Sequence, residues 1–141
     1  MGKKRITTAT EANKEKVIGV PKTSRKKHTV GLLHIQSTYN NTKLLLSDSL
    51  GNALAWSSSG ALGFKGAKKG TPFAAAKVGE LMADKATTIG IKDVSASING
   101  VGAGREAALR AFVSKGIGIT SISDITPIPH NGPRPPRARR V

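Results

Sequence analysis

The chain has 141 residues, with 23 Lys and Arg against 8 Asp and Glu, a formal net charge of +15 and no cysteine. Such an excess of cations goes far beyond what solubility requires and points to a polyanionic partner, while the lack of cysteine excludes a disulfide framework and any thiolate zinc site. No apolar run reaches the roughly 18–20 residues that span a bilayer, and the first residues lack the apolar stretch of a signal peptide, so no membrane partner is expected and the compartment is read as cytoplasmic, or the matrix or stroma of an organelle.

The charge is concentrated at the ends. Residues 1–27 carry 9 basic and 2 acidic side chains, residues 28–125 carry 10 and 6, and residues 126–141 carry 4 and none. Residues 1–28 show no periodic apolar pattern and finish in Arg25, Lys26, Lys27 and His28. They are expected to form an extended basic arm, the plain alternative being a solvated tail. Residues 29–125 are long enough for one domain with a small core.

Within that domain, Val30 to Ile35 is rich in β-compatible apolar residues, and Tyr39, Asn40 and Asn41 suit a tight turn before a second strand from Thr42 to Ser47. Asp48 to Asn52 supplies turn chemistry, and Ala53 to Ser57 alternates as a third strand. Thr71 and Pro72 read as an N-cap followed by proline in the first helical position. Val78, Leu81, Met82, Ala86 and Ile89 give the helix one core-facing stripe, Gly90 closes it, and Gly79 weakens it by about 1 kcal/mol relative to Ala. A fourth strand runs from Val94 to Ile98, a second helix from Arg105 to Lys115 with Gly116 as its stop, and a fifth strand from Ile117 to Asp124. The order β-β-β-α-β-α-β predicts an α/β fold with a mixed five-stranded sheet, the last two strands joined by a right-handed crossover. Residues 126–141 hold five prolines, four arginines and no acid, and are expected to form a stiff extended tail suited to docking on RNA.

Two segments between these elements bear on chemistry. Phe64 to Gly70 carries Lys65, Lys68 and Lys69 on a glycine-rich stretch that ends at a helix N-terminus, a combination that favours phosphate. Phe64 is read as a core plug rather than a base-stacking ring. The run from Gly100 to Arg105, with Asp124 about twenty residues on, resembles a dinucleotide fingerprint. Its spacing is G-x-G-x-G, however, and the further βαβ units of such a domain are missing, so an RNA phosphate contact or a sharply bent backbone is the better reading. The acids are isolated, Ser57 to Ser59 has no nearby acid and base, and His34 within an apolar strand reads as a satisfied histidine. No catalytic residue, metal site, cofactor or small-molecule substrate is therefore expected. The rivals are a nucleotide-cofactor enzyme, which needs an acid or nucleophile cluster, and a general DNA-binding or architectural protein, which needs a groove-sized basic helix.

The strings Tyr39-Asn40-Asn41-Thr42, Gly63-Phe64-Lys65-Gly66, Thr71-Pro72-Phe73-Ala74-Ala75, Gly102-Ala103-Gly104-Arg105-Glu106 and Thr126-Pro127-Ile128-Pro129-His130-Asn131-Gly132 closely resemble small-subunit ribosomal protein eleven in its bacterial or organellar form, from about Thr29 to Val141. Pro133 stands where bacterial members often have Cys, and Ala138 interrupts the usual basic run. The resemblance implies a ribonuclease-H-like fold without catalytic acids. It also implies a place on the small-subunit platform near the messenger exit path, beside ribosomal proteins of the six, eighteen and twenty-one types. Combined with the charge pattern, it gives an expected rRNA-binding set of Arg25, Lys26, Lys27, Asn40, Asn41, Thr42, Lys65, Lys68, Lys69, Arg105, His130, Asn131, Arg134, Arg137, Arg139 and Arg140.

Overall fold

Alternation of side chains builds the sheet. In β1 (Val30–Ser37), Leu33 and Ile35 are buried on one face, while His34 and Gln36 point to the other. The remaining elements of the computed structural model, which describes residues 28–137, are β2 (Thr42–Ser47), β3 (Ala53–Ser58), α1 (Pro72–Ile89), β4 (Asp93–Asn99), α2 (Gly104–Val113) and β5 (Gly118–Asp124). The basic run Arg25 to Lys27 and the last arginines, Arg139 and Arg140, lie outside the described residues.

The strands stand in the order β3-β2-β1-β4-β5. The first hairpins are antiparallel, and β4 joins β1, and β5 joins β4, in parallel. This is the mixed five-stranded sheet with two helices that the sequence predicts. Cross-strand pairing sets Leu33 against Leu46 and Ile35 against Leu44, so one face is a continuous aliphatic layer. Helix α1 covers that layer over β2 and β3, and α2 covers it over β1 and β4. Val78, Met82, Ala86, Ala108 and Phe112 complete the core from the helices. On the face that the helices leave open, His34 shares a hydrogen bond with Ser47 (Nε2 to Oγ, 3.0 Å), which makes it the satisfied strand histidine the sequence suggests.

Helix α1 begins and ends where its punctuation dictates. The Thr71 hydroxyl accepts a hydrogen bond from the Ala74 N–H at 3.3 Å, and Gly90 adopts the left-handed conformation that closes the last turn. Its buried face differs from the predicted stripe, because Leu81 and Ile89 are only half-buried whereas Ala74, Ala75, Gly79 and Ala83 are fully buried. The reason is the approach of α2. A Cβ on Gly79 would lie 2.5 Å from the Ala108 carbonyl oxygen and 3.1 Å from the Ala111 Cβ, so the helices meet at backbone distance and small residues are selected there.

Local structure before α1 adds one element and changes one expectation. Within the glycine-rich stretch, residues Gly66–Gly70 form a turn of 3-10 helix. Phe64 stays half-buried outside the core and meets the exposed Phe73 edge-on, with ring centroids 6.1 Å apart, because the segment that carries it runs over the end of the sheet instead of beneath the helices.

Substituting Gly79→Ala tests the packing. Helix propensity alone favours Ala by about 1 kcal/mol, but overpacking against a fixed backbone costs about 1–3 kcal/mol. We expect the melting temperature to fall by several degrees; a rise would mean that the helices can separate freely.

Candidate nucleic-acid interface

Because β2 runs antiparallel to both its neighbours, β1 and β3 point the same way, and β4 and β5 follow β1. Four strands therefore finish at one end of the sheet. The Thr38–Asn41 turn, the lysine-bearing segment 59–71, the glycine loop 100–103 and the start of the C-terminal tail all gather there.

Close backbone contacts weld these loops together. The Gly102 N–H donates to the Ser37 carbonyl at 2.9 Å, and a Cβ at Gly102 would fall inside contact distance of the Thr38 carbonyl and the Ser37 hydroxyl. Gly70 presses in the same way against the Tyr39 carbonyl. Within the turn, the Thr38 N–H donates to the Asn41 carbonyl at 2.9 Å and the Asn41 N–H donates to the Thr38 hydroxyl at 3.2 Å. Asn40 is exposed, and the buried Asn41 Oδ1 has no hydrogen-bond partner among the described residues. Thr42, expected to reach RNA, is fully buried and packs its hydroxyl 3.4 Å from that of Ser37. In this position it holds the hairpin from inside.

The lysines behave differently. Lys65 and Lys68 are exposed and Lys69 is half-exposed, and no ion pair engages any of them among the described residues. Neither the 3-10 turn nor the first turn of α1 contains an acid. Partial positive charge at the helix N-terminus therefore adds to the ammonium groups without being offset. Two aromatic rings the sequence reading did not include stand beside them: Tyr39 is 78% exposed and Phe73 is 64% exposed, with the Lys77 ammonium 5.8 Å from the Phe73 ring centre. The helical spacing contained the Phe73 signal, since the stripe through Val78 and Met82 extends back to Ala74 and Ala75 and leaves Phe73 on its flank. The other end of the sheet is mixed in charge. There Asp48 accepts from the Asn52 side chain and from the Asn52 and Leu50 N–H groups, bonds that hold its carboxyl below the usual range, and Lys115 pairs with Asp84 at 3.2 Å.

Arg105 turns inward. Its guanidinium donates to the Gly100 carbonyl and to the Thr126 hydroxyl, and forms an ion pair with Asp124. Asp124 in turn accepts from the Thr126 hydroxyl at 2.6 Å and from the Thr126 N–H at 2.9 Å. The Thr126 hydroxyl, the Arg105 guanidinium and the Thr126 amide hold the Asp124 carboxyl well below the usual carboxylate range. Past this knot the described part of the tail, through Arg137, stands clear of the domain. Ile128 is 78% exposed, and His130, Asn131, Arg134 and Arg137 are exposed as well.

The glycines that resemble a dinucleotide fingerprint are thus filled by the chain's own hairpin, and Asp124 is taken by Arg105 and Thr126. We expect calorimetry with NAD or ATP to show no heat of binding at micromolar to low-millimolar ligand. A micromolar site for either would contradict this packing.

A protein-family model described as ribosomal protein S11 matches residues 31–140. The match runs from β1 through the glycine loop into the arginine-rich tail and takes in every element of the basic end. The chain therefore belongs to the ribosomal protein S11 family, and with it to the structural, rRNA-binding proteins of the small ribosomal subunit.

Proposed function

We propose that the loop end of the sheet and the tail that leaves it form one rRNA-binding face, and that the chain scaffolds converging rRNA helices on the subunit platform near the messenger exit path during assembly and translation. The observation that carries this reading is the segregation of charge: Lys65, Lys68 and Lys69 have no acidic partner among the described residues and stand at the end from which the arginine tail departs. Cations gathered without counter-charge gain most from a polyanion, since each phosphate neutralised releases condensed counterions.

Each part has its own task in this reading. The lysines contact phosphates and set register, as backbone contacts do in nucleic-acid complexes generally. Tyr39 and Phe73 offer flat faces to unstacked bases, with Asn40 and Asn41 beside them for base or ribose edges. Arg134 and Arg137, continued by Arg139 and Arg140, string guanidinium groups along a backbone that proline has already extended, so less entropy is lost on docking. His130 and Asn131 lie on the same path, and Arg25, Lys26 and Lys27 add cations before β1. Ribosomal proteins of the six, eighteen and twenty-one types are the proposed neighbours, and the ribosome, in cytoplasm or organelle, the location. A DNA reader fits poorly, because α2 carries only two cations, of which Arg105 is turned inward and Arg110 has Glu106 one turn away.

Deleting residues 127–141 tests the reading. The five strands, both helices and the Thr126 bonds all precede the cut, so circular dichroism and melting should remain close to native. Binding to small-subunit rRNA should weaken and its salt dependence flatten, the slope of log K against log salt falling by up to about 3.6 for four lost arginines at roughly 0.7–0.9 per phosphate. Unchanged affinity and slope would mean that the tail is merely solvated.

A further inference from the structure

We propose that Arg105, Asp124 and Thr126 form a latch that fixes the direction in which the C-terminal tail leaves the domain, and that Arg105 is a positioning residue rather than a phosphate ligand. This inference rests on the tail's role in RNA binding proposed above.

The geometry gives one hydroxyl the central part. Thr126 Oγ1 lies 3.2 Å from the Gly100 N–H, which donates to it, 3.3 Å from Arg105 Nη1 and 2.6 Å from the Asp124 carboxylate, which accepts its proton. The guanidinium bridges the same residues, reaching the Gly100 carbonyl with one nitrogen and Asp124 with the other. One step upstream, the Ile125 N–H donates to the Ile98 carbonyl at 2.9 Å, so β5 is zipped to β4 up to the latch and no further. The first residue beyond it is Pro127, whose fixed φ passes the orientation of Thr126 into the stiff tail.

Charge and exposure agree with the assignment. The Arg105 side chain is only 28% exposed, against the open setting of Lys65 and Lys68. Its charge is balanced by Asp124, so the pair offers little net attraction to phosphate. A planar fork that serves a carbonyl, a hydroxyl and a carboxylate together cannot be reproduced by the single ammonium of lysine. A phosphate contact, in contrast, keeps its charge attraction in an Arg to Lys exchange, losing only any bidentate geometry, and gains when a neighbouring acid is neutralised.

These opposite signs make the test. Full-length Arg105→Lys, Asp124→Asn, Thr126→Val and Thr126→Ser variants would each compete with the unaltered chain for incorporation into small subunits rebuilt from rRNA and the other subunit proteins, alongside the 127–141 deletion. Tail direction would be read from the distance distribution between spin labels at Thr120→Cys and Ile128→Cys, which are unique attachment points because the chain has no cysteine. We expect Arg105→Lys, Asp124→Asn and Thr126→Val each to lower incorporation by about tenfold, the scale of one lost charge-assisted bond, and to broaden the distance distribution. Thr126→Ser, which keeps the hydroxyl, should match the unaltered chain in both. Thr126→Val changes no charge and keeps the test meaningful even if a charge variant folds poorly. Undiminished incorporation of Arg105→Lys, or improved incorporation of Asp124→Asn, would overturn the latch and return Arg105 to phosphate binding. A deletion without effect would instead remove the tail reading on which the latch depends, so the two failures are distinguishable.

Discussion

Lys65, Lys68 and Lys69 lie within five residues of one another, next to a helix N-terminus and with no carboxylate paired to them among the described residues, and holding these like charges together is the constraint around which the rest of the structure is arranged. Like charges held together cost free energy until a polyanion arrives, and packing elsewhere in the fold must offset that cost. The framework that holds them is backbone. The 3-10 turn that carries two of the lysines caps itself through the Lys68 carbonyl, which accepts from the Thr71 hydroxyl at 2.7 Å, and the same hydroxyl starts α1. The long helix thus anchors the charged turn, and the aliphatic layer beneath anchors the helix.

The same economy governs the glycine and alanine positions. Gly79 brings α2 onto α1, which places the start of α2 and its glycine loop against the β1–β2 hairpin, and Gly70 brings the lysine turn onto the other side of that hairpin. Loops that elsewhere form mobile connections are here close-packed, so the basic groups are held by a surface of fixed shape. That is the pre-organisation a scaffold for RNA requires, since ordering costs are met during folding rather than at binding. Only the tail departs from this pattern, and proline gives it stiffness in place of packing.

Much of this was legible in the sequence, for identifiable reasons. Strand and helix positions followed from period-2 and period-3.6 patterns with strong punctuation at Asn40-Asn41, Thr71-Pro72 and Gly90, all local signals. The basic segments were legible because charge needs no geometry to be counted. The burial of Thr42, the capture of Arg105 and the exposure of Phe73 were not, because each depends on contacts between segments distant in sequence. Arg105 meets Asp124 across 19 residues and Thr126 across 21, a partnership that composition cannot show. Phe64 misled in a related way: an aromatic between glycines reads as a core plug unless one knows that its segment crosses the end of the sheet.

The central claim is that the loop end of the sheet, and not the uncovered face or the opposite end, meets RNA. Lysine-selective acylation of the protein, free and bound to small-subunit rRNA, with each site quantified by mass spectrometry, tests it most directly. The account predicts strong protection of Lys65, Lys68 and Lys69 on binding, with Lys92 at the opposite end as reactive as in the free protein. Protection of Lys92 with the three loop lysines unchanged would contradict it.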